Sequence, residues 1–454
     1  MSKYKYSPTE QQINKVLKYQ DEELKRIKKN MSKLSDLDKV IQESEDLLLM
    51  HGKELPTIQK SQPREKKIMV VPSWETLCAE AEASVGNSVD LEDLFTEEEL
   101  KANELAIRQL NKEYNQLHHL DKYDIAISVV SGLLAASVDI LLVGIPHKTT
   151  EGLRSGPLSN YVRDYFDQKF PEEEMNKLAN SKVSKVPYDA QDNRNTTIWV
   201  EGLSAYYHRL LSLGHDPLLG FVFGVADILN GTMTTIDKTG KIVSQVMENY
   251  ADRKESDIFA ALAKQIIHLQ SDIGTSMGLP APLMGLFNLL QFGSIGEAEQ
   301  TVAEIVQGMY YEGYDFVHFC SLTIPVMIIE VVTRLAYGIK RIKEGHSIRD
   351  SIPFSLNRSK HPKLGTMLFI SHSLATAVNA GKVHFTKNPM AINYPQWIMF
   401  AKYSYQQVKW VLLEKPAARD AYVRGILYEE LDEVFKSVDE TFDSFSNDYL
   451  VVFE

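Results

Sequence analysis

Apolar residues recur at seven-residue spacing through the first fifty positions. One series is Ile13, Gln20, Ile27, Leu34, Ile41 and Leu48; the other is Leu17, Leu24, Met31 and Asp38. Interleaved, they predict one long amphipathic helix over 9–50 whose a/d seam is broken by Gln20 and Asp38. A second heptad stretch at 97–120 carries Leu100, Ile107 and Tyr114 in one series and Leu110 and Leu117 in the other. Thr96 and Glu97–Glu99 supply its N-cap and an acidic first turn. Residues 51–73, with three prolines and a basic run, read as a linker or loop. Such an arm predicts either a homo-oligomer through the seam or an antiparallel hairpin of the two heptad segments.

From residue 121 the pattern changes. Ile125–Ile145 is an apolar stretch whose one charge is Asp139, with Asp124 at its leading edge. Fifteen residues apart, the two carboxylates fall within about 60° of each other around a helix and would share an interior partner. The stretch is long enough to cross a bilayer. Lys122 lies on one side and Lys148 and Arg154 on the other, which leaves no positive-inside bias. The expectation is a buried core helix in a cytoplasmic protein, with membrane association through 125–145 as the alternative.

Residues 146–200 predict two short helices and a loop. His208 and His215 are seven apart, which on a helix is one face; Asp216 is placed to cap a helix opening at Pro217, in which Asp227 is the one charge. Residues 232–241 read as a turn or small hairpin. The helix 256–273 has Ser256 as its cap, an apolar stripe of Phe259, Leu262, Ile266 and Leu269, and an i,i+4 pair, His268 and Asp272. Further helices are predicted at 297–311, 314–343 (with Glu330 and Arg334 paired), 361–385 and 396–413, the last stopped by Pro416. The fold class expected is all-α: a helical arm at 1–120, a Gly-rich multi-helix core at 121–416, and an acidic helix and apolar terminus at 417–454.

Composition narrows the chemistry. The chain has 454 residues, 44% hydrophobic and 24% charged, which excludes wholesale disorder. A net charge of −12 makes nucleic acid an unexpected partner. Two cysteines, Cys78 and Cys320, are too few for a disulfide framework and fit a reducing compartment. Neither a phosphate-binding GxxxxGK[ST] loop nor HExxH, GxSxG or a kinase motif set occurs. What remains is a set of ionisable residues inside apolar stretches, where carboxylates need a partner or a metal. His215, Asp227, His268 and Asp272 are the expected ligands of a divalent Zn, Mn or Fe ion, and Asp124 and Asp139 the expected catalytic carboxylates, all six converging in space. The reaction expected is hydrolysis of a phosphoester by a metal-activated water. His215–Asp216 resembles the doublet of the helical HD phosphohydrolases, although no upstream histidine stands at the family's spacing. The competing expectation is a non-enzymatic helical effector or scaffold that meets a membrane or a protein partner.

The segments YDIAISVVSGLLAASVDILLVGIP, GHDPLLGFVFGVADIL, HLQSDIGTS followed by GLPAP, and YDFVHF resemble a family of helical proteins associated with mobile genetic elements of Gram-positive bacteria. The resemblance covers about residues 121–415. It implies a mobile-element or anti-phage setting and brings no activity or catalytic residues with it. Members tend to be acidic near the position of Asn379.

Overall fold

The computed structural model describes residues 5–53, 67–86, 89–149, 152–275, 278–293 and 299–453, and for 32–38 and 446–448 the backbone alone. The chain is mostly helical, as its periodicity requires, and it divides into two compact units. One comprises residues 1–116 with 415–454, the other residues 117–414. The C-terminal helix therefore belongs with the N-terminal arm rather than forming a region of its own.

In the first unit, α1 spans Pro8–Met50 and is opened by a capping box between Ser7 and Glu10. Strand β1 (Lys67–Val71), α2 (Trp74–Ser84) and α3 (Glu97–Leu117) follow. The first turns of α1 pack on α2, burying Asn14 and Val16, and Asn14 Nδ2 donates to the Val89 carbonyl at 3.1 Å. The heptad seam is mostly outward: Leu24, Ile27 and Met31 are 65%, 51% and 62% exposed. Leu34 and Asp38 lie outside the described side chains. An exposed seam invites a second copy, so Leu24→Asp with Ile27→Asp should lower the molar mass by light scattering. An unchanged mass would rule out self-association through this seam.

The segment read as linker ends in β1, and 54–66 lie outside the described residues. Strand β1 pairs in parallel with the last strand of the chain, Tyr449–Phe453, in the register Lys67↔Tyr449 to Val71↔Phe453. Local pattern alone missed this strand because its partner is at the opposite terminus.

The second unit opens with α4 (Lys122–Val138), which passes directly into a π-helical turn, Asp139–Val143. Then come the ribbon β2 (His147–Thr149) and β3 (Gly152–Arg154), α5 (Pro157–Lys169), α6 (Glu172–Ala179), α7 (His208–Leu211) and α8 (Phe223–Asn230). A hairpin of β4 (Thr232–Ile236) and β5 (Ile242–Val246) precedes α9 (Ile258–Ile273), α10 (Val302–Tyr311), α11 (Phe316–Lys343), α12 (Ile348–Ser351), α13 (Leu364–Thr386) and α14 (Tyr394–Lys409). Pro416 does not end a helix here. A second π turn, Trp410–Glu414, leads into α15 (Lys415–Asp448), and Pro416 stands directly after that turn within continuous helix. The last strand is β6 (Tyr449–Phe453).

Helices α4, α11, α13 and α14 form a bundle. A Cβ on Gly132 would stand 2.7 Å from the Ser371 carbonyl, so glycine is what lets α13 lie this close to α4. Polar pairs set the helix directions. Asp124 meets Lys340 of α11 at 2.5 Å and Lys363, just before α13, at 3.2 Å. Asp139 accepts from Asn379 of α13 at 2.9 Å and from Asn393 at 3.0 Å, with Lys382 at 3.4 Å. Thus α4 runs antiparallel to α11 and parallel to α13. The two aspartates have separate partners instead of one shared partner. Helix α4 also differs from the expected core helix: it buries Ser128, Ser131, Gly132 and Ala135 while Val130, Leu133 and Leu134 are exposed.

Candidate metal centre

Beyond the bundle, α6 to α9 and the β4–β5 hairpin enclose a separate core around Val186, Tyr188, Leu211, Ile228 and Met233. His208 starts α7. The chain then leaves the helix at Ser212, which bridges to Thr235 of β4, and turns through the 3-10 segment Leu213–His215. The two histidines are therefore brought together by this bend, not by one helical face; their rings lie 5.3 Å apart. Helix α9, capped by Asp257 rather than Ser256, presents His268 and Asp272 one turn apart.

These side chains meet. His208 Nε2 lies 3.4 Å and His215 Nε2 3.6 Å from Asp189 Oδ1; His215 Nε2 lies 3.7 Å and His268 Nε2 3.5 Å from Asp272 Oδ2. All are too long for good hydrogen bonds. The Nε2 atoms of His208, His215 and His268 and Oδ2 of Asp272 are buried without a hydrogen-bond partner. Ligands at ~2.1 Å from one ion in a tetrahedron are about 3.4 Å from each other, close to the nitrogen–oxygen distances within two triads that share His215, Asp189–His208–His215 and His215–His268–Asp272. Two of the three outer ring nitrogens are already engaged, while His215 Nδ1 is buried without a partner. The Nδ1 atoms of His208 and His268 each lie 2.9 Å from a backbone carbonyl, of Ala205 and Ser184. A donated Nδ1–H leaves the Nε2 lone pair facing inward, the arrangement usual in metal-binding histidines.

A second layer holds these groups. Arg209 lies 3.1 Å from Asp272 Oδ1, leaving Oδ2 turned inward, and also donates to Thr275 and, at 3.2 Å, to the Gly278 carbonyl. The Tyr188 ring packs edge-on against His215 and His268, and its hydroxyl donates to Gln265 at 2.5 Å. Gln265 in turn donates to the Gly214 carbonyl at 2.8 Å. A Cβ on Gly214 would fall 2.6 Å from the Tyr188 ring, so this approach requires glycine. Burial lowers the His215 imidazole to about 4, which keeps it neutral, the ligating form, at ordinary pH. Burial acts to raise the Asp189 carboxyl, but the neighbouring imidazoles of His208, His215 and His268 outweigh it and hold it well below the usual carboxylate range. Asp189 is 26% exposed, whereas the side chains of His208, His215, His268 and Asp272 are at most 5% exposed, so the centre opens toward solvent on the Asp189 side.

Of the residues expected from sequence, His215, His268 and Asp272 come together. Asp227 does not join them. Its Oδ1 accepts from Thr232 Oγ1 at 2.6 Å and Thr234 Oγ1 at 2.9 Å, and its Oδ2 from Thr234 N at 2.9 Å, so it ties α8 to β4. Asp216 accepts from the amides of Leu218, Leu219 and Leu283, a turn cap rather than half of an HD doublet. Asp124 and Asp139 sit at the two ends of α4 with the lysine and asparagine partners given above. Sequence reasoning missed Asp189, which lies in a stretch read as loop without chemistry. One signal was present in the sequence: Val186, Tyr188 and Ala190 recur at every second position of that loop, and all three are fully buried. No known protein-family model, curated protein or solved structure matches this chain.

Proposed function

We propose that this protein is a metal-dependent hydrolase of phosphoester bonds, with a divalent Zn, Mn or Fe ion held by His215, His268 and Asp272, and His208 and Asp189 at the open side. The observation that carries the reading is the triad of His215 Nε2, His268 Nε2 and Asp272 Oδ2, buried, unpartnered and at ligand-to-ligand spacing, with His208 and Asp189 joined to it through His215. An isolated cluster of this kind would forfeit several hydrogen bonds, a cost that an ion removes. Three neutral imidazoles with two carboxylates balance a divalent charge, and nitrogen-plus-oxygen donor sets suit these metals. A bound ion lowers the pKa of its water to about 7 and so supplies hydroxide near neutral pH. Asp189, the solvent-side carboxylate, would accept a hydrogen bond from such a water and orient it. Arg209 holds Asp272 in its ligating orientation. The mobile-element or anti-phage setting rests on the sequence resemblance over 121–415.

Elemental analysis of purified protein, followed by assay with bis-p-nitrophenyl phosphate, tests the reading. About one ion per chain is expected, with turnover abolished by chelator and restored by one of the three metals. Protein that holds no ion after exposure to all three refutes the site. An ion without turnover on phosphodiester or phosphomonoester probes refutes the phosphoester assignment and leaves a structural ion.

A further inference from the structure

Two helices of the second unit, α4 and α9, are inverted relative to water, and α11 is apolar on both its buried and its exposed sides. Helix α9 buries Lys264, Gln265, His268 and Asp272 and exposes Ile258, Phe259 and Ile266 at 58%, 77% and 48%. Helix α11 exposes Met327, Val331, Leu335 and Ile339 at successive i,i+4 positions, while Thr333 is buried and Glu330 pairs inward with Arg334 at 2.7 Å. On α4 the buried stripe holds both aspartates and two serines and the exposed stripe is aliphatic. A helix facing water carries its charge outward. Helices in hydrocarbon do the reverse, with small and polar residues at helix contacts and ionisable groups paired inside.

The dimensions agree. Between Lys122 and His147 no charged side chain is exposed, because Asp124 and Asp139 are both buried. The helical part of that interval, Lys122–Val143, is roughly 30 Å long at about 1.5 Å per residue and somewhat less in the π turn, matching a hydrocarbon core of about 30 Å. The most apolar windows of the α3–α4 segment through Val143 and of α11 have the length and composition to cross a membrane, yet only 33% and 44% of them is buried. The exposed aliphatic stripes are not confined to one pair of helices: α4 and α11 pack on each other, whereas α9 packs on α6 and α8. A second copy covers one contiguous patch, whereas a bilayer covers a belt.

We propose that the second unit is embedded in a lipid bilayer, with α4 and α11 crossing it and their aliphatic stripes facing the acyl chains. The metal cluster is tied to one end of this bundle: Arg209 and Tyr310 both donate to the Gly278 carbonyl, and the adjacent Leu279 carbonyl accepts from Phe316 N at the start of α11.

The test uses the untagged full chain. It should stay in the membrane pellet through a carbonate wash and, after reconstitution, float with phosphatidylcholine/phosphatidylglycerol vesicles. Val331→Asp with Leu335→Asp should reduce the floated fraction at least fivefold while the protein's metal content is unchanged. Recovery of the wild type in the carbonate supernatant overturns the proposal, and a soluble species of twice the chain mass assigns the face to a second copy instead. Should the double variant fail to accumulate, Leu134→Cys in a Cys78→Ser, Cys320→Ser background, labelled with a polarity-sensitive dye, gives a second readout. Quenching by lipids spin-labelled in the acyl chain is expected; a dye spectrum like that in water overturns the proposal.

Discussion

A His215→Ala protein should lose its metal. His215 Nε2 faces both carboxylates, Asp189 at 3.6 Å and Asp272 at 3.7 Å, and its ring is fully buried between those of His208 and His268. Removing it takes away the central ligand and leaves the two aspartates without their shared neighbour. Loss of an outer-sphere partner usually costs ~10–100-fold in metal affinity, so loss of this ligand should cost at least about 100-fold. Arg209→Ala, which frees Asp272 to rotate, belongs in that outer-sphere range. Asp227→Asn should keep the wild-type ion content, because Asp227 binds threonines of the hairpin. Chelator competition with elemental analysis of the three variants reads this order. Equal ion content in His215→Ala and Asp227→Asn would sink the assignment.

The second large effect is on stability. Asp124 is fully buried and bridges Lys340 and Lys363, which Asp121 also meets, so Asp124→Ala removes the buried half of an ion cluster and leaves both ammonium groups on Asp121. Because Asp121 keeps both lysines paired, the loss is that of charge-assisted hydrogen bonds, about 1.5–3 kcal/mol. For a unit of this size that is a fall in melting temperature of roughly 3–10 °C. The folded fraction should retain its ion, because the lysine pair and the histidine cluster share no residue. A melting temperature close to wild type together with lost turnover would instead return Asp124 to the catalytic role expected from its sequence context.

That contrast shows where local pattern stops. Asp124, Asp139 and Asp227 are each an isolated charge in an apolar stretch, as His215, His268 and Asp272 are isolated polar groups. Isolation marks a residue that needs a partner, and it says nothing about which partner. Lysines serve Asp124, asparagines Asp139 and threonines Asp227. The stripe of Phe259, Leu262 and Ile266 marks α9 as amphipathic, but which face turns inward is decided by what the neighbouring segments bring: here the Tyr188–Asp189 loop and His215 make the polar face the buried one.

The sequence by itself determined most of the long helices, though not α2 or the break between His208 and His215. Heptad spacing in α1 and α3, the acidic first turn after Thr96, the run of α11 and the i,i+4 placement of His268 and Asp272 are local facts, because a helix joins each residue to its fourth neighbour. The Asp237–Gly240 turn and the hairpin around it are equally local. The tertiary structure alone decided the pairing of β1 with β6, the partners of the two α4 aspartates and the entry of Asp189 and His208 into the centre. Each depends on residues far apart in the chain, as with His268 Nδ1 and the Ser184 carbonyl, 84 positions away. Side-chain type fixes what a buried group requires, and only the packing of distant segments supplies it.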